Sequence, residues 1–79
     1  MKVVSVRWID TQSQDDLCIE DAEKLCPTEA VSFGLLIVKD EEKVNIASSR
    51  FRAGEFRQTL SIPAKNVLEV KELADYDCT

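Results

Sequence analysis

At 79 residues, 44% of them hydrophobic and with only two glycines and two prolines, the chain is composed for one hydrophobic core, which excludes a second domain and a disordered or fibrous character. Its formal net charge of −5 disfavours sequence-independent binding to phosphate backbones, which needs clustered Lys and Arg. It has no histidine, and its three cysteines include no CxxC pair, so neither a disulfide framework nor a tetrahedral zinc site within one chain is expected.

In chain order, Val4, Val6 and Trp8 alternate with Ser5 and Arg7, predicting a strand over residues 2–10 with one buried face and Trp8 as a core anchor. The polar run Asp10 to Asp16 is rich in side chains that bond their own backbone and reads as a loop. Cys18, Ala22, Leu25 and Cys26 then recur at helical spacing, with Asp15 or Asp16 as N-cap and Pro27 as stop, predicting one short amphipathic helix over residues 16–26. Cys18 and Cys26 are expected to be half-buried thiols, and Cys78 to lie in the tail.

Val31, Phe33, Leu35 and Ile37 form a second alternating series, and the intervening Leu36 and Val38 make the strand's end apolar on both sides. Gly34 inside this strand predicts a bulge or bend. Lys39 to Lys43 is charged and reads as a hairpin connection into a third strand, Val44 to Ala47. Phe56, Leu60 and Ile62 mark a fourth strand ended by Pro63, residues 64–66 suit one 3₁₀ turn, and residues 67–73 form a fifth strand before a frayed tail, 74–79. This layout predicts a mainly β fold: a five-stranded SH3-like or Sm-like small barrel with one short helix inserted between strands 1 and 2, its scaffold carried by Trp8, Phe33, Leu35, Ile46, Leu60 and Val70. The competing architecture is an open antiparallel sheet covered by the helix. A core of this size leaves association into a homo-oligomer as a way of burying more surface.

The longest apolar run, Leu35 to Val38, is far below the roughly 18 residues needed to span a bilayer. The sequence from Met1 to Val4 lacks a signal-like apolar region, so a reducing cytoplasm is expected.

The chemistry-bearing groups fall in two places. Residues 10–29 hold seven carboxylates against Lys24 alone. Of these, Asp15, Asp16, Glu20, Asp21 and Glu23 form a candidate acidic face for a basic protein partner. Trp8, Asp10, Thr11 and Ser13 offer donors and acceptors where the first strand ends, and Ser48, Arg50 and Arg52 place hydroxyls and guanidinium groups around Phe51. Together they are candidates for an anionic, nucleotide-like ligand. No catalytic residue, metal ligand or cofactor is expected: there is no Gly-rich phosphate loop or nucleophile elbow, and solvated carboxylates keep ordinary pKa values.

The stretches Val6 to Ser13, Ser32 to Leu36, Val44 to Ser49 and Ile62 to Leu73, in this order and spacing, resemble small uncharacterised proteins of phages and prophages. The resemblance implies a barrel made inside an infected bacterial cell. Its expected role is that of a non-enzymatic binding module which sequesters or blocks a host factor of anti-viral defence, by its acidic face or by a nucleotide-binding pocket. The alternative is an Sm-like RNA-binding or structural oligomeric ring.

Overall fold

The computed structural model describes residues 1–11 and 18–77. The chain is mainly β: β1 (Lys2–Asp10), β2 (Thr28–Lys39), β3 (Lys43–Arg50), β4 (Phe56–Pro63) and β5 (Val67–Asp75), with helix α1 (Ile19–Lys24) between β1 and β2 and a 3₁₀ turn, Ala64–Asn66, between β4 and β5. The strands form one antiparallel sheet in the order β4-β3-β2-β1-β5. No ladder joins β4 to β5, so the sheet is not closed into a barrel.

Register decides which side chains are buried. Val4 and Val6 of β1 lie opposite Gly34 and Ser32 of β2, so these residues share the inner face. There Val4 and Val6 meet Val44, Ile46 and Ile62, with Trp8, Leu36, Val67 and Val70 packed around them. This overturns part of the expected core. Phe33 pairs with Ser5 on the opposite face and is 64% exposed, and Leu60 is also exposed. Ile46 is buried as expected, and Val4, Val6, Val44 and Ile62 make up the rest of the core cluster.

Gly34 permits the fold's sharpest approach. A Cβ there would lie 2.7 Å from the Ala47 carbonyl oxygen and 3.3 Å from Ile46 Cβ. Only a residue without a side chain lets the backbone of β3 approach β2 this closely. A register shift between Leu36 and Val38 accompanies the crossing and adds local bend.

The hairpin between β2 and β3 is set by Asp40. Its carboxylate Oδ1 accepts the backbone N–H groups of Glu42 at 2.8 Å and Lys43 at 2.9 Å, an Asx-type turn. These two bonds favour the charged form and lower the Asp40 pKa below its ordinary 3.8.

Helix α1 is shorter than expected. Its N-cap is Cys18, and no residue from Ile19 to Lys24 is buried. Cys18 and Cys26 are exposed free thiols rather than half-buried ones, because the six-residue helix lies against no part of the sheet closely enough to cover them. The helix therefore does not cover the open sheet. The proposed N-caps Asp15 and Asp16 lie outside the described residues. At the other end, β5 continues past Leu73: Ala74 pairs with Val3, Asp75 pairs with Lys2, and the Tyr76 N–H donates to the Met1 carbonyl at 2.7 Å. Residues 74–76 are thus held against β1 and Met1, where fraying was expected. Among the described residues no helix is long and apolar enough to cross a membrane.

Two outcomes follow. Gly34→Ala should destabilise the fold by about 1–3 kcal/mol through overpacking, read as a lower urea midpoint with unchanged slope. Because the Asp40 pKa is lowered on folding, its contribution is present above pH 3.8 and is lost as pH falls through the lower folded value. The gap in melting temperature between wild type and Asp40→Ala should therefore be constant at neutral pH and narrow in that acid window.

Candidate functional site

Beside the β2–β3 crossing lies an open cleft of about 950 Å³, with Phe33, Ser49, Phe51, Arg52 and Tyr76 among its walls. Four segments build it. β1 contributes Val3, β2 contributes Phe33 to Leu35, the end of β3 and the turn after it contribute Ser48 to Arg52, and the residues after β5 contribute Tyr76 and Asp77.

Each segment is positioned by an identifiable interaction. Ser48 to Arg50 belong to β3 instead of the expected loop, because Ser49 and Arg50 pair with Arg57 and Phe56 of β4. The turn proper is residues 51–55, closed by the Phe51 N–H to the Glu55 carbonyl at 2.8 Å and by the Gly54 N–H to the Phe51 carbonyl at 2.8 Å. Gly54 sits at φ +89° with open space around it, a conformation that glycine adopts without steric cost. The Arg57 guanidinium stacks 4.7 Å from the Phe51 ring centroid and orients that aromatic wall. Tyr76 is carried to the cleft by the Met1 contacts: its carbonyl accepts from the Met1 ammonium at 2.6 Å, and that ammonium also pairs with Asp75 at 3.2 Å.

The candidates read from sequence are divided by this geometry. Ser48, Arg50 and Arg52 come together in the cleft. Trp8 does not join them. It lies five residues from Val3 along β1, about 16 Å at strand rise, packs against the core, and donates its indole N–H to Ser32 Oγ at 3.0 Å. Asp10 ends β1 opposite Thr28, with Thr11 following it. Ser13 lies outside the described residues. Glu20, Asp21 and Glu23 are exposed on α1, while Asp15 and Asp16 of the same acidic face lie outside the described residues.

Phe33 and Tyr76 are cleft residues that sequence reasoning missed. The β2 alternation assigned Phe33 to the core, and Tyr76 fell in the presumed tail. A chain-terminal aromatic behind a strand that pairs with the first strand was the available signal for Tyr76.

Chemically, the cleft offers guanidinium groups for an anion, hydroxyls for polar edges and three aromatic rings for a planar group. Among the described residues no three His, Cys, Asp or Glu side chains converge to hold a metal. In comparison with known proteins, the chain matches no family model, no curated protein and no solved structure.

The division of candidates has a measurable consequence. Trp8→Phe should cost about 1 kcal/mol of stability, from the lost indole bond to Ser32, and leave the affinity of any cleft ligand unchanged. Urea unfolding and calorimetric titration check the two parts separately.

Proposed function

We propose that this chain is a non-enzymatic binding module that captures a nucleotide-like anion in the cleft beside the β2–β3 crossing. The observation that carries the reading is the convergence of Ser48, Arg50 and Arg52 with the rings of Phe33, Phe51 and Tyr76. Guanidinium groups suit phosphate, and stacked aromatic side chains suit a base. The sequence resemblance to phage and prophage proteins gives the module a role: sequestering or blocking a host factor of anti-viral defence within the cytoplasm of an infected cell. That part of the reading is analogy to small phage proteins.

The architecture proposed with it is of SH3-like or Sm-like type. Strand order β4-β3-β2-β1-β5, with a 3₁₀ turn between β4 and β5, is the order such a barrel would have if its two edges met. This order favours one second reading, an RNA-binding or structural ring. The net charge of −5 opposes it. A reading through the acidic face draws less support, because Glu20, Asp21 and Glu23 sit on a six-residue helix with no buried residue to fix it.

Thermal-shift screening against cyclic dinucleotides and NAD-derived nucleotides tests the leading reading. A ligand at a hundred times its Kd adds about 2.7 kcal/mol to stability and should raise the melting temperature by roughly 10 °C or more in a domain this small. Arg52→Ala should weaken that ligand by about tenfold or more. No shift at saturating nucleotide, combined with oligonucleotide binding that falls steeply with salt, would replace this reading with the RNA-binding one.

A further inference from the structure

Gln58 interrupts β4. The ladder with β3 pairs Ala47 with Thr59 and Ser49 with Arg57, and between these pairs Ser48 and Gln58 are not matched. At that break Gln58 takes φ +54°, and among the described residues no other non-glycine residue has a positive φ. A side chain in this left-handed region is sterically disfavoured. Such positions persist where the surrounding structure holds them, and they cluster at active sites and ligand clamps. The other positive φ among the described residues belongs to Gly54, in a turn with open space around it. That turn asks only for backbone freedom, whereas Gln58 carries a side chain.

The Gln58 side chain borders a second pocket, of about 340 Å³, within the range of roughly 300–1,000 Å³ for small-molecule sites. It adjoins the cleft, since Phe33 and Ser48 line both. Its polar groups are the Gln58 carboxamide and the hydroxyls of Ser32 and Ser48, set beside Phe33, Ile46 and Leu60. None of its lining residues is charged. Ser32 Oγ accepts the Trp8 indole N–H at 3.0 Å, which fixes that hydroxyl and leaves its own hydrogen to donate. The Gln58 carboxamide makes no hydrogen bond among the described residues.

This set suits a different group from the anion of the cleft. Without a charge it favours a neutral planar group, and a carboxamide presents a donor and an acceptor side by side, the pattern that meets a base edge such as that of adenine in two bonds. Given the anion-binding cleft, on which this rests, we infer that the pocket at Gln58 is a second base subsite and that the ligand is a dinucleotide. Its phosphates lie at Arg50 and Arg52, one base stacks on the aromatic rings of the cleft, and the other enters the adjoining pocket with its edge to Gln58.

Calorimetric titration of the full chain with cyclic di-AMP, cyclic di-GMP and NAD⁺, each compared with AMP and GMP, tests this. At least one dinucleotide should bind the wild type about tenfold or more tighter than either mononucleotide, the gain expected of one two-bond base contact. Gln58→Leu keeps a side chain at the left-handed position and removes the carboxamide, and Gln58→Gly removes both. Each should erase that gain and leave mononucleotide affinity unchanged. Gln58→Gly should also melt at or above the wild-type temperature, because relief of the left-handed conformation offsets the added chain entropy of glycine. Variants that keep wild-type dinucleotide affinity, a Gln58→Gly protein that melts far below the wild type, or a wild type that binds AMP or GMP as tightly as every dinucleotide overturn the subsite and leave the cleft reading standing. Absence of binding by all five nucleotides overturns both.

Discussion

The close passage of β3 over β2 at Gly34 is the constraint on which the remaining structure depends. β2 is twelve residues long and belongs to both halves of the sheet: its first half pairs with β1, its second with β3. Were it straight, β3 and β4 would extend away from β1 and β5, and both faces of a flat sheet would meet water. Because position 34 has no side chain, the Ala47 carbonyl can occupy the space a Cβ would fill. That close approach, with the register shift between Leu36 and Val38, accompanies the packing of Val44, Ile46 and Ile62 with Val4 and Val6. Each of these aliphatic side chains gains about 1.5–3 kcal/mol by leaving water.

The same crossing generates the cleft. Phe33, Gly34 and Leu35 line it from β2, and the end of β3 with the turn after it supplies Ser48 to Arg52. The site is consequently tied to the scaffold at its most constrained point, with the two arginines projecting from a strand end and a closed turn. Precision of this kind suits recognition of a small ligand better than a long mobile loop would, because less ordering entropy is lost on binding.

Strand existence and turn chemistry were legible from residue patterns. The limits of β1 and the 3₁₀ turn follow from alternation and Pro63, whereas the irregularity expected at Gly34 falls between Leu36 and Val38. What was not legible was the face of β2. Val31, Phe33, Leu35 and Ile37 form the more apolar row, and local reasoning turns that row inward. Pairing with β1 overrides it: Val4 and Val6, opposite Gly34 and Ser32, fix the inner face through neighbours far away in sequence. The site divided along the same line. Ser48, Arg50 and Arg52 were readable as a local cluster, whereas Trp8 was separated from them by strand geometry and Tyr76 joined them through its contact with Met1.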